Sequence, residues 1–187
     1  TGSLTAAAAT LTAGGALTQS GRIATGAEIR LAGASITSTG ALTAGGPISL
    51  AAGNALTRSG YLQSAQGVTL SAGGAFTLTG QALAGTDLTI AAGGTATLTD
   101  GKITAGGTVQ LTAGQGISLQ SFQIDPDIIV LQTNGALSVV SSTLVSGETI
   151  RLVGGTVTLR GNSITTGTLD VDAAGTLTLD GGQYIIG

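Results

Sequence analysis

The sequence predicts an all-β fold: a right-handed parallel β-helix (β-solenoid) of about nine coils of ~20 residues, three short strands per coil. Three observations predict it. A repeat of 19–21 residues runs through the 187-residue chain. Within each repeat, apolar residues alternate with polar ones over short stretches, which is strand periodicity. Glycine, 33 residues in all, gathers at the joints between those stretches. Right-handedness is expected because parallel crossovers are overwhelmingly of that hand.

Strand one of each coil carries the apolar residue that sets the repeat: Leu11, Leu31, Leu50, Leu70, Ile90, Leu111, Leu131, Leu152 and Val171. Two residues earlier stands a second apolar position, among them Ile29, Ile48, Val68 and Leu88. Corner one follows, as in Ala72-Gly73-Gly74 and Ala92-Gly93-Gly94. Strand two carries Leu17, Ile36, Leu56, Phe76, Ala96, Ile117, Leu137, Val157 and Leu177. Corner two holds Gly21, Gly40, Gly60, Gly80, Gly101 and Gly161. Strand three is expected to turn Leu4, Ile23, Leu42, Leu62, Leu83, Ile103, Ile124, Leu144 and Ile164 inward, with Ile185 starting the next row. Corner three closes the coil at positions such as Gly45, Gly85 and Gly106. Glycine suits all three corners because it turns a chain within two or three residues.

One coil cannot bury its own aliphatics. Stacked coils share one core, and at about 4.8 Å per coil nine of them make a rod roughly 43 Å long. The pattern also changes along the rod. Two residues after the strand-two apolar position stand Gln19, Ser38 and Arg58 in the first three coils, then Leu78, Leu98, Leu119, Val139, Leu159 and Leu179. An extra residue at corner two from the fourth coil onward would let strand two point a second side chain inward. This predicts a cross-section that widens from about Gly74.

Composition narrows the chemistry. The chain lacks His, Cys, Met and Trp, which excludes zinc fingers, Fe–S clusters, thiol nucleophiles and Ser-His-Asp triads. No cofactor or metal is expected. A net charge of −3, with six Lys and Arg against nine Asp and Glu, provides no basic patch for nucleic acid. The longest apolar runs, Ala6–Ala9 and Ile128–Leu131, are four residues, far short of a membrane span.

The stretch Ile48-Ser49-Leu50-Ala51-Ala52-Gly53-Asn54-Ala55-Leu56-Thr57-Arg58-Ser59-Gly60-Tyr61-Leu62 resembles the filamentous haemagglutinin-type repeats of bacterial two-partner-secretion exoproteins. Such repeats build large haemagglutinin-like adhesins and the stalks of contact-dependent growth inhibition toxins. The resemblance covers the whole chain. It implies a right-handed β-helix, export through an outer-membrane transporter, a secreted or cell-surface location, and contact with a host-cell or neighbouring-bacterium receptor. Coils of that family often carry Asn before the corner glycine, where this chain has Ser20, Thr39, Ser59, Thr79 and Asp100. Residues 1–187 are expected to be a single β-helix segment with partial coils at both ends, a piece of a longer filament.

Candidate sites are few. A hydroxyl ladder marks the outward side of strand two: Thr18, Thr37, Thr57, Thr77, Thr97, Ser118, Ser138, Thr158 and Thr178. Flat ranks of Thr suit ice binding, but Thr is also an ordinary solvent-facing strand residue. A second rank beside it breaks at Gln120, Val140, Arg160 and Asp180. Phe122, Val130, Val140, Val145 and Val153 are candidates for an exposed interaction patch, since Phe122 is expected at a corner and the valines at outward positions. A polysaccharide-processing enzyme would need two carboxylates converging across a cleft. Asp170 is instead expected to pair with Arg151, and Asp180 with Arg160, one coil apart. Asp125-Pro126-Asp127 reads as a turn rather than a calcium cage. Tyr61 and Tyr184 are expected to be ordinary surface residues at corners. The expected function is thus non-catalytic: a structural shaft that projects an adhesive or toxin region, with direct adhesion through an exposed patch, ice binding and sugar processing as alternatives.

Overall fold

The computed structural model describes residues 2–187. Its 28 strands form three parallel sheets of nine, nine and ten strands. Each sheet collects one strand from every coil, and each strand pairs with the same strand one coil away. Along strand one, Leu11, Leu31, Leu50, Leu70 and Ile90 stand in register. So do Leu111, Leu131, Leu152 and Val171 beyond them. Leu31 to Leu152 are buried, whereas Leu11 in the first coil is half-exposed. Along strand two, Phe76 sits between Leu56 and Ala96, so a large ring is matched by a methyl group on the next coil. Each buried Leu or Ile contributes about 1.5–3 kcal/mol of transfer free energy. Ordering a residue's backbone costs about 1–2 kcal/mol, so the stability of a coil comes from its neighbours.

The corners stack as the strands do. At corner one, Asn54 N donates to Ala34 O at 2.7 Å and Gly74 N to Asn54 O at 2.7 Å. At corner three, Ser64 is buried; its hydroxyl lies 2.8 Å from Gly46 O and accepts from Gln66 N at 3.0 Å. The serine therefore replaces, with a side chain, hydrogen bonds that the turning backbone cannot make to itself.

Corner two departs from the sequence expectation in three ways. The extra residue enters in the fifth coil, not the fourth. In coil four the link Leu78-Thr79-Gly80-Gln81-Ala82 is as short as in coil three, so Leu62 pairs with Ala82 and Gln63 with Leu83. Ala82 is buried and Leu83 faces out, half-buried. Side chains alternate with period two, and one residue fewer in the corner exchanges the faces. From coil five, strand two lengthens to Thr95–Thr99 and the added position runs Thr99, Gln120, Val140, Arg160, Asp180.

The next residue then turns left-handed. Asp100, Ser121 and Ser141 have φ of 49°, 52° and 49°, and Gly161 has 59°. That reverses a peptide. In coils two to four, Thr39, Ser59 and Thr79 donate their N–H backward, to Gln19, Ser38 and Arg58. In coils five to eight, Asp100, Ser121, Ser141 and Gly161 donate forward, to Gln120, Val140, Arg160 and Asp180.

The second departure is that the strand-two column faces inward over its whole length. Gln19, Ser38, Arg58 and Leu78 are in register, and the three polar members are buried. The third concerns Phe122 and the final strand. Phe122 is only 1% exposed, not a surface aromatic. The wider corner gives it room, and its ring lies against Gly101, where a Cβ would collide with it. In the last strand Tyr184, half-buried, takes the inward place opposite Ile164, while Ile185 is 59% exposed.

Candidate functional site

Corner two is also where the surface is concave. A groove of about 790 Å³ crosses coils three to seven, spanning the point where the corner gains its residue. One wall is the first residue of successive third strands: Tyr61, Gln81, Lys102, Gln123 and Thr143, paired one to the next. The opposite wall is the first residue of each corner, Ser59, Thr79, Asp100, Ser121 and Ser141. Gly60, Gly80, Gly101 and Phe122 complete its lining. Tyr61 is partly exposed and its hydroxyl donates to Gln63 Oε1 at 2.9 Å. Lys102 Nζ lies 3.9 Å from Asp125 Oδ2. The chemistry offered is hydrogen bonding from amides and hydroxyls, one aromatic face, and a cation balanced by carboxylates.

Under the groove the interior is unusually polar. Arg58 is fully buried with no carboxylate partner. Its Nη1 donates to Ser38 O at 2.9 Å, its Nη2 donates to Tyr61 O, and its Nε has no hydrogen-bond partner. A Cβ at Gly60 would lie 2.6 Å from Nη1, so the guanidinium is directly beneath the groove lining. Burial lowers its pKa from the ordinary guanidinium value to about 10. Ser38 Oγ donates to Gln19 Oε1 at 2.6 Å, and Gln19 Nε2 donates to Gly21 O. Sequence reading missed this network because polarity argued for solvent. The usable signal was register: Gln19, Ser38 and Arg58 share a column with Leu78.

A second buried polar chain takes over where the corner is wide. Phe122 N donates to Ser142 Oγ at 3.2 Å and Ser142 N to Asn162 Oδ1 at 2.9 Å. Asn162 Nδ2 closes it on Val139 O at 2.8 Å. Ser142→Ala is expected to cost about 1–2 kcal/mol in chemical denaturation, because it strands the buried Phe122 N–H. Ser142→Ala melting with the parent would show that N–H to be otherwise served.

The other sequence candidates lie elsewhere. The hydroxyl ladder is in register from Thr18 through Thr37, Thr57, Thr77 and Thr97 to Ser118, Ser138, Thr158 and Thr178. The proposed patch is not brought together. Phe122 is internal. Val130 and Val153 lie on the first sheet, Val140 on the second and Val145 on the third, each half-buried. Arg151 Nε pairs with Asp170 Oδ2 at 3.5 Å and Arg160 Nε with Asp180 Oδ2 at 3.0 Å, as the column positions predict. These pairs are exposed and contribute little, about 0–1 kcal/mol each. Among the described residues no three His, Cys, Asp or Glu side chains gather to hold a metal ion, and no helix is long and apolar enough to cross a membrane.

A family model described as hemagglutinin repeat matches residues 1–143. No curated protein and no solved structure matches the chain. The family match ends in the seventh coil, while the same three sheets continue to Ile186.

Proposed function

The chain belongs to the hemagglutinin repeat family, and from that premise we propose that it is a shaft segment of a secreted or cell-surface exoprotein. The family is one of structural and adhesive exoproteins rather than enzymes. Its work here is mechanical: coils of fixed rise hold a distal adhesive or toxin-bearing region away from the cell. The observation that carries the reading is the uninterrupted register. Every strand from the first coil to the last pairs with its counterpart, and among the described residues no loop long enough to wall off a reaction chamber leaves the stack. Delivery across an outer membrane by a partner transporter fits a chain without cysteine, since no disulfide forms before it threads a pore. The hydroxyl ladder serves the rod rather than ice, because the adjacent rank breaks at Gln120, Val140, Arg160 and Asp180.

The test uses the full-length exoprotein on its producing cell. Removing the twenty residues 62–81, one register unit from Leu62 to its partner Ala82, shortens the rod by about 4.8 Å. Adhesion or toxin delivery is expected to persist. The triple variant Val130→Ala, Val140→Ala and Val153→Ala is likewise expected to adhere as the parent does. Loss of adhesion in the triple variant, with its fold intact by circular dichroism, would convert the shaft into a direct binding module.

A further inference from the structure

We propose that the corner-two groove between Tyr61 and Thr143 binds a linear, uncharged oligosaccharide. Three properties of the groove lead there.

The first is spacing. Tyr61, Gln81, Lys102, Gln123 and Thr143 succeed one another along one sheet, so the rank repeats at about 4.8 Å. A sugar ring in an extended β-linked chain advances by a comparable length, which lets each ring meet one coil. An extended peptide advances about 3.3 Å per residue and returns to the same side every second residue, out of step with the rank. Nor is there backbone for a peptide to pair with, because the strands' own N–H and C=O groups are spent between coils. The groove crosses four coil steps, so it accommodates roughly four rings.

The second is chemistry. Hydroxyls stand on both walls and the Gln81 and Gln123 amides on one, giving the donors and acceptors that ring hydroxyls need. The Tyr61 ring, 37% exposed, offers an apolar face to the C–H side of one sugar, with its hydroxyl already turned to Gln63. No deep apolar pocket is present to anchor a leucine or phenylalanine of a protein partner.

The third is charge. Lys102 is the only cation lining the groove. It pairs with Asp125, and Asp100 lines the same groove. A near-neutral wall does not select a sulfated chain or nucleic acid, which needs several uncompensated cations. Arg58 stays beneath the lining, committed to two carbonyl oxygens.

The test titrates the 187-residue chain with chitotetraose, cellotetraose and mannotetraose, and with a heparin tetrasaccharide, by calorimetry or ligand-observed NMR. At least one neutral tetraose is expected to bind, with its monosaccharide at least about tenfold weaker, since contacts to several coils add. Tyr61→Ala and Gln123→Ala are each expected to lower that affinity about fivefold or more. Thr77→Ala, on the hydroxyl ladder, leaves it unchanged. Equal thermal midpoints for all three variants make the loss local to the groove. The proposal is overturned if no neutral tetraose binds at about 10 mM, or if only the heparin fragment binds. It fails equally if Tyr61→Ala and Gln123→Ala both bind as the parent does.

Discussion

Gly80→Ala is expected to lower the stability of the solenoid by on the order of 3 kcal/mol, read as a lower midpoint in guanidinium. Gly80 sits at corner two, directly over the corner of coil three. A Cβ there would press on Gly60 O, lie 2.6 Å from Ser59 O and 2.8 Å from Ser59 C. All three are backbone atoms, so no side chain swings aside. Relief requires coil four to lift from coil three, and Thr79 N donates to Arg58 O at 3.0 Å in that same gap. Because each coil contacts only its neighbours, weakening one interface divides the rod and costs cooperativity as well as stability. The control is Gly14→Ala. Gly14 is also a corner glycine, but a Cβ there meets nothing within 4 Å, and it is expected to be neutral or slightly stabilising. If the two variants melt together, stacking does not explain the glycines of corner two.

Arg58→Met is expected to act in the opposite direction, raising stability by about 2–3 kcal/mol near neutral pH. The guanidinium is taken wholly out of water without a carboxylate to answer it, and its Nε is unpartnered. Two carbonyl hydrogen bonds offset only part of that desolvation. Ser38 O keeps a partner without Arg58, since Ser59 N donates to it at 3.1 Å. A methionine fills the column with a flexible apolar chain against Leu78. The pH dependence identifies the cause. Arg58 has a folded pKa of about 10, lowered by burial from the ordinary guanidinium value. Below about pH 10 both folded and unfolded chains hold the proton and the penalty is complete. Above about pH 10, and until the unfolded guanidinium also titrates, the folded chain releases its proton first, so the wild type gains stability as pH rises. The advantage of the Met variant in thermal midpoint should therefore shrink from pH 8 to pH 11. A Met variant less stable than wild type at pH 8 would mean that the carbonyl contacts outweigh desolvation.

The large-scale architecture was legible because it rests on many small agreements. Nine apolar residues spaced 19–21 apart admit no other winding, and the strand-one column and the strand-two column from Leu17 to Leu177 stand as the spacing placed them. The exposed pairs Arg151–Asp170 and Arg160–Asp180 were equally readable, since membership of a column is enough to bring them together. Lys102–Asp125 does not follow that rule: Lys102 stands opposite Gln123 and Asp125 opposite Thr104, so the pair is diagonal and column membership alone does not bring it together. The groove was not legible. It arises from the three-dimensional contour of successive corners, and its polar rank looks in the sequence like any other solvent-facing residues.

Phe122, Leu83, Tyr184 and Arg58 mark the boundary between the two kinds of information. The sequence alone determined the coil length, the number of sheets and the inward columns of the first two. Periodicity of that kind is carried by every repeat, and no single residue can overturn it. Only the tertiary structure decided where corner two lengthens, and hence that Ala82 rather than Leu83 turns inward and that Phe122 finds space inside. The reason is geometric. A strand exchanges its faces with a slip of one residue, and a third strand containing both Ala82 and Leu83 leaves either choice open until the strands of the neighbouring coils fix the pairing. By the same constraint Arg58 is carried into the interior: its column, held by the coils on either side, outweighs its preference for water.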